Sequence, residues 1–439
     1  MRSLPLPTTG LPAFGALLGG DLWDRWALAG KVFPLTDLRR ASRYLRLKPN
    51  TSCRLAVFRD QDISDGSRPP DGFLIYAFPD PERAREYFDK VTSGKLWAKE
   101  QEHEPFLDGE HSVVVVPFPS DREIPGLRHV YRHHRLKHLA LPFLPEIASS
   151  GWRVIKRKTD LRLLNYKAGR RAVFAYTIHA QRNRSAEQRE ITLHLKVESA
   201  SCFSVARLVA LRQLSSEING AGWHLPEIIG WDIDHHLTLR RWYPGPVLSS
   251  RLNDPDSLAR TAVALAGLHR SSARSSTSLP GDPNGEIRDE IEHLMMLLPT
   301  ETCRLRHIAD RLASKLEPLG KASGTLLHGD FHPGQVVFHD DRVVLIDLDR
   351  CRYGPPALDI GSFLAHAVEF GAHSDVRRWF VEAYRRENPE FDPESIGAAF
   401  CLGLLQRCAR PFRDLAPNWP RLIDQRLQRL ERALDRADR

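Results

Sequence analysis

The stretch HGDFHPGQVVFHDDRVVLIDLDR, residues 328–350, gathers five aspartates, three histidines and a glutamine around two short runs of strand-forming residues. Val336–Phe338 and Val343–Ile346 can pair as a hairpin across His339-Asp340-Asp341-Arg342. Such a hairpin sets three oxygen-bearing groups, Asp330, Gln335 and Asp347, at its open end. That arrangement suits phosphoryl transfer. One carboxylate accepts the proton of an attacking hydroxyl, while a second carboxylate and an amide oxygen hold a hard cation such as Mg²⁺ against phosphates. Catalysis of this kind is mostly positioning and electrostatics, so few side chains are needed. Plainer readings compete. Asp330 could cap loop amides, and Asp347 could be a strand-end carboxylate paired with Arg350. Asp349 could be a helper group or a substrate contact. His328 is expected to tie loop backbone, and His269 to be structural. His332 with His328 and Asp330 lacks the CxxC or HExxH spacing and the fourth ligand of a zinc site.

The elements that must position these groups follow from periodicity. Ser52–Arg59 and Gly72–Phe78 read as strands, Pro81–Val91 as a helix with Pro near its first turn, and His111–Phe118 as a strand. The order then recurs: strands at Arg170–Ile178 and Ile191–Val197, a helix at Ser204–Leu214, and a strand at Leu237–Tyr243. LKPNTSCRLAVF near 47–58 echoes YKAGRRAVF at 166–174. In the first copy Tyr76 and Ala77 fall near the place of Lys196 in the second. A true duplication would leave the first copy without that lysine, as a cap. The alternative is two small α+β units that share a generic strand–strand–helix–strand order. Residues 271–279 (SSARSSTSL) read as a Ser-rich linker. Helices are expected at 289–297, 302–316, 357–371, 375–387, 394–411 and 420–437. The apolar stripe of the last, from Leu422 to Leu434, is a packing face.

Composition narrows the class. The 439 residues are 42% hydrophobic and 27% charged, which fits a globular chain of two or three units. No apolar run approaches a membrane span. The N-terminus carries one Arg and is broken by Pro, so it makes a poor signal peptide. Six cysteines without a CxxC pair read as reduced thiols and a cytoplasmic protein. The net charge of +8 is that of a solvated basic surface. No recognition helix, zinc-finger spacing or aromatic run points to nucleic acid. A protein built to hold polycationic ligands would more often be acidic. The acids at Glu369, Asp375, Glu382, Glu387 and Asp392 are scattered among arginines, with Arg407, Arg410 and Arg413 beyond them. This tilts the expected acceptor toward a neutral or anionic molecule.

H-G-D-x-H-x-G-Q followed by an I-D-x-D strand end resembles the aminoglycoside phosphotransferase/choline kinase group, which shares the protein-kinase-like fold. Gln335, where most members carry Asn, is similar to the maltokinase-like branch. ITLHLKV with Lys196, LTLRRWYPG, LAGLH at 265–269 and PPALDIGSFLAH at 355–366 extend the resemblance over about 160–439. It implies an α+β, bilobal protein-kinase-like fold. Residues 1–150 would be an N-terminal α+β cap, 151–245 the nucleotide-binding small lobe, and 246–439 the helical lobe with the catalytic loop and acceptor site. It implies ATP and Mg²⁺ as cofactors, Asp330 as base, and Gln335 and Asp347 as metal ligands. Lys196 would bind phosphate, and the backbone around Arg241–Tyr243 would meet adenine. The acceptor would be a hydroxyl of a sugar, amino sugar or related alcohol. Two departures stand out. KAGRR at 167–171 replaces a GxGxxG loop. Between Glu198 and Glu217 there is no acid to pair with Lys196. Glu198 lies so near along the strand that Glu217 becomes the expected partner. That gap keeps a pseudokinase-like nucleotide- or partner-binding module in view, beside an antibiotic phosphotransferase. A protein kinase does not fit, because seven residues between Asp347 and Pro355 cannot form a peptide-docking activation segment.

Overall fold

The computed structural model describes residues 9–36, 38–48, 50–59, 69–93, 103–131, 136–137, 140–148, 151–155, 158–218, 222–271, 283–320 and 324–437. Apart from Ser271, the Ser-rich linker lies outside the described residues. The chain divides into two compact units. One holds the residues up to Phe203 with Ile229–Trp242 and Arg413–Pro417. The other holds Ser204–Ile228, Tyr243–Phe412 and the residues from Asn418 onward.

The first unit contains two antiparallel sheets. In the N-terminal sheet, β1 (Ser42–Lys48), β2 (Ser52–Phe58), β3 (Gly72–Ala77), β4 (Phe106–Asp108) and β5 (Val113–Pro117) run in the spatial order β1-β2-β3-β5-β4. Both β3 and β5 are buried along their whole length, which explains their unbroken apolar runs, GFLIYA and VVVVP. The second sheet holds β6 (Trp152–Val154), β7 (Asp160–Lys167), β8 (Arg171–Arg182) and β9 (Gln188–Glu198), followed by the strands Ile228–Asp232 and Leu237–Arg241. Here β7 and β6 both pair with β8, then come β9, Leu237–Arg241 and Ile228–Asp232. With β6 set aside, the two sheets have the same strand order. One continuous core joins them, from Phe58, Leu74 and Val116 to Phe174, Leu195 and Leu239.

The second unit is mainly helical. Its helices start where the sequence caps them. Asp254 accepts a hydrogen bond from the Ser257 amide at 3.1 Å and Pro255 takes the first helical position of Pro255–His269. Pro283–Leu297 begins six residues before the expected start at Asp289. Trp419–Ala437 buries Ile423, Leu427, Leu430 and Leu434, the expected stripe. Arg304, on the helix Thr302–Gly320, ties that helix down through Asp424 (2.7 Å) and Glu431 (2.8 Å). The helices Ala357–Glu369 and Ile396–Cys408 cross closely. A Cβ on Gly361 would come within 2.4 Å of the Ala399 carbonyl carbon, so only glycine permits the approach. Thr325–Leu327 pairs antiparallel with Arg352–Gly354, with Leu327 opposite Arg352.

Candidate active site

The expected hairpin forms between Val336–His339 and Arg342–Leu345, with Val336 opposite Leu345. This register brings Gln335 and Asp347 together at its open end. Gln335 Nε2 lies 3.4 Å from Asp347 Oδ2, a long contact between two groups that both carry an oxygen. Asp347 sits in the left-handed region at φ 62°, ψ 48°. A non-glycine residue there is strained by about 1–3 kcal/mol and persists only where its surroundings hold it.

The loop before the hairpin is clamped from beneath. His328 is wholly buried and its Nε2 donates to the Ile346 carbonyl at 2.8 Å, the backbone-tying role expected of it. Asp359 accepts from the amides of His328 (2.7 Å) and Gly329 (3.0 Å), and His269 Nε2 lies 3.1 Å from the same carboxylate. The other ring nitrogen of His269 is 2.6 Å from the Tyr384 hydroxyl, so this histidine is satisfied on both sides. Burial pushes the Asp359 carboxyl up. The hydrogen bond and charge of His269, with His328, outweigh it and hold the group below the usual carboxylate range. Gly329 is left-handed at φ 78°, and a Cβ there would meet the Arg350 carbonyl oxygen at 2.0 Å. The clamp therefore presents Asp330, half-buried, at the mouth of a polar pocket.

Beside Asp330 stands a stacked pair of imidazoles. His332 and His366 have ring centroids 4.3 Å apart. His332 Nδ1 accepts from the Gly334 amide at 3.0 Å, which caps the turn before Gln335. Burial pushes His332 down to about 4. The charge of Asp330 opposes the shift, and His328, Arg407 and Arg410 add to it. Arg407 contacts His366 and donates to the Gly403 carbonyl at 2.8 Å. Glu369 gathers Arg407 (3.4 Å) and Arg410 (3.2 Å) and also contacts Arg426.

In the first unit, Lys196 is buried and its Nζ lies 2.8 Å from Glu198 Oε1, itself 3% exposed. This corrects the sequence expectation in one respect. Glu198, set aside as too close along the strand, is an ion-pair partner of Lys196. Glu217, expected in that role, is exposed on the helix Val205–Ile218, where Gln213 Nε2 donates to it at 2.7 Å. The physical reason is strand geometry. Residues two apart point to one face, about 7 Å apart along the chain, a gap that a lysine and a glutamate easily close. That alternation was the available signal.

Two further features were not legible beforehand. The Lys167–Arg171 turn is held by the buried Asp121, whose Oδ2 accepts from the Gly169 amide (2.7 Å) and the Tyr166 hydroxyl (2.6 Å). Arg54 and Glu123 form a two-pronged ion pair at 2.7 and 2.8 Å, close against Gly169. Arg241 Nη2 lies 3.5 Å from Glu146 Oε1. Tyr243, in the second unit, sits among His224 and His339, with ring centroids at 4.8 and 5.4 Å.

Comparison with known proteins gives this architecture its class and then its family. A choline kinase of Cryptosporidium parvum superposes with a TM-score of 0.51 over 69% of this chain and 96% of its own, at 10% identity. An amicoumacin kinase solved with AMP-PNP and Ca²⁺ superposes with a TM-score of 0.50 over 69% of this chain and 96% of its own, at 14% identity. Both show the fold, which is protein-kinase-like. Residues 177–397, about half of the 439, match the model of the phosphotransferase enzyme family, and the chain belongs to that family. A methylthioribose kinase of Exiguobacterium sibiricum is 39% identical over 69 residues, which span 16% of this chain and 18% of that kinase. Among the described residues no helix is long and apolar enough to cross a membrane.

Proposed function

We propose that the protein is an ATP-dependent small-molecule phosphotransferase of the cytoplasm, with a sugar, amino sugar or related alcohol as acceptor. The observation that carries this reading is the Gln335–Asp347 contact at 3.4 Å on a strained backbone, just past the clamped loop that presents Asp330. Asp330 accepts the proton of the acceptor hydroxyl. The acceptor oxygen bonds to the γ-phosphorus as the bridging β–γ P–O bond breaks, and ADP leaves. Gln335 and Asp347 are the residues that would hold Mg²⁺. Their two adjacent oxygen donors fit an ion that takes few protein ligands and leaves its other positions to phosphate and water. When bound, Mg²⁺ supplies charge neutralisation on the phosphates. Lys196, oriented by Glu198, binds the α- and β-phosphates, and the backbone around Arg241–Tyr243 meets adenine. Glu198 on the same strand supplies the lysine with an ion-pair partner that the following helix lacks. Gln335 in place of Asn is the residue that argues for the maltokinase-like branch. Residues 1–150 act as a cap derived by duplication from the 151–245 lobe, and 246–439 carry the catalytic loop and the acceptor site.

The test is Mg·ATP turnover against a panel of alcohols, sugars, amino sugars and aminoglycosides, with Asp330→Asn beside the wild type. Loss of a general base is expected to lower kcat by roughly 10²–10⁴. Asp347→Ala is expected to abolish the Mg²⁺ dependence of what turnover remains. Unchanged product formation by Asp330→Asn would remove Asp330 from the role of base.

A further inference from the structure

A cleft of about 590 Å³ opens on the helical unit where two helices end and two begin, and none of its lining belongs to the 328–350 stretch. Lys315 and Leu319 come from the end of Thr302–Gly320, and Ala433 and Arg436 from the end of Trp419–Ala437. Arg377 comes from the first turn of Val376–Glu387, and Phe400 from the first half of Ile396–Cys408. The volume is that of a small-molecule site, roughly 300–1,000 Å³. Leu319, Phe400 and Ala433 give the cleft apolar surface, and Lys315, Arg377 and Arg436 give it positive charge.

The three cations are not equivalent. Lys315 Nζ donates to the Ala437 carbonyl at 2.8 Å, and Arg436 lies in the last turn of its helix, so both complement a helix C-terminus. Arg377 has no such account. It is the second residue of its helix, where the macrodipole disfavours a cation, and no acid shares that turn. Its neighbour Arg378 pairs with Asp375 at 3.1 Å, and Arg304 and Arg311 on the adjoining helix are paired as well. Arg377 and Arg436 have no ion pair among the described residues. Of the two acids in the lining, Asp392 accepts from the Glu394 amide at 2.9 Å, and Glu394 is exposed.

We infer that this cleft binds an organic anion, an apolar body bearing a phosphate or a carboxylate that Arg377 and Arg436 hold. Guanidinium forks match the oxygens of either group. The negative charge also offsets the positive end of Val376–Glu387, and the apolar body covers Leu319, Phe400 and Ala433, which a bare ion leaves wet. An amine meets three cations there. A neutral molecule leaves two guanidinium groups without a counter-charge. Glu394 opposes an anion, which gives the assignment a test of sign.

The experiment is a calorimetric titration of the full-length protein without nucleotide. The probes are naphthyl phosphate and naphthaleneacetate, set against inorganic phosphate, naphthalenemethanol and naphthylmethylamine. Wild type, Arg377→Ala, Arg436→Ala and Glu394→Gln are compared, each a change at an exposed side chain. At least one naphthyl anion should bind more tightly than all three controls. Its Kd should rise roughly 5- to 20-fold in each arginine variant, the loss of a charge-assisted hydrogen bond. It should fall roughly two- to threefold in Glu394→Gln, the relief of an exposed like charge. The stronger of the two anions identifies the preferred head group. The inference is overturned if neither anion binds, if the amine or the alcohol binds as tightly, or if inorganic phosphate does. It is overturned as well by a Kd indifferent to either arginine, or by weaker binding in Glu394→Gln.

Discussion

The two sheets of the first unit are built to one plan and differ where chemistry would sit. In each, a three-residue hairpin loop joins the first two strands. The Thr51 amide bonds to the Lys48 carbonyl at 3.1 Å, and the Arg170 amide to the Lys167 carbonyl at 2.9 Å. The middle residue is left-handed in both, Asn50 at φ 52° and Gly169 at φ 67°. The ladders then run in step. Lys48 pairs with Ser52 and Arg54 with Tyr76 in one sheet, and Lys167 pairs with Arg171 and Val173 with Lys196 in the other. Register thus sets Tyr76 where the second sheet has Lys196. Tyr76 buries a ring in an otherwise apolar strand, its hydroxyl 3.5 Å from Asp121. The second sheet buries an ion pair at the same place. Taking two charges out of water costs several kcal/mol per ion, and packed apolar residues would do as well or better for stability. At this place the first sheet keeps a tyrosine ring and the second a lysine paired with a glutamate. The second thus buries a lysine and a glutamate that packing alone does not require.

The sharpest way to break this contrast is to remove the pair. Lys196→Met alone leaves Glu198 buried without its 2.8 Å partner and should destabilise by about 3–5 kcal/mol. Lys196→Met with Glu198→Leu makes the position apolar, like its counterpart. It should match the wild type or exceed it by about 1–4 kcal/mol in urea denaturation, while turnover falls by roughly 10²-fold or more through lost electrostatic stabilisation. A double variant less stable than the single one would mean the pair serves the fold.

The two loops give a second, smaller contrast. Gly169→Ala places a Cβ 1.9 Å from Arg54 Nη1 at a positive φ. It should weaken the grip of Asp121 on the turn, lower the melting temperature and raise the KM for ATP. Asn50→Ala at the matching loop should cost only about 1 kcal/mol, the penalty of a left-handed alanine, with no change in the KM for ATP.

The smallest effect lies in the helical unit. His332 is held down at about 4 in the folded protein, against about 6.5 when unfolded. Between those values the unfolded state binds the extra proton, so stability is full above pH 6.5 and is lost as the pH falls toward 4. His332→Gln should flatten the decline in melting temperature between pH 7 and pH 5. An unaltered slope would assign the acid sensitivity to other groups.

Much of the site was legible because it is local. Sixteen residues separate Asp330 from Asp347 in a stretch whose alternation and turn residues already specify a hairpin, and pairing of the two strands delivers Gln335 beside Asp347. The helices were readable for the same reason, since Asp-Pro caps and apolar stripes act within a few residues. Glu198 was misjudged although it too is local. Proximity along the chain was taken to exclude contact, whereas strand alternation puts residues i and i+2 on one face.

By itself, then, the sequence determined one hairpin and the oxygen-bearing side chains gathered at its open end, Asp330, Gln335 and Asp347. Only the tertiary structure decided what surrounds them. Asp121 reaches Gly169 across 48 residues, and Gln406 reaches Glu286 across 120. Such contacts depend on sheet register and on helices that approach through Gly361 and Gly403. Their free energy belongs to the packed core as a whole, so no local spacing encodes which side chains it brings together.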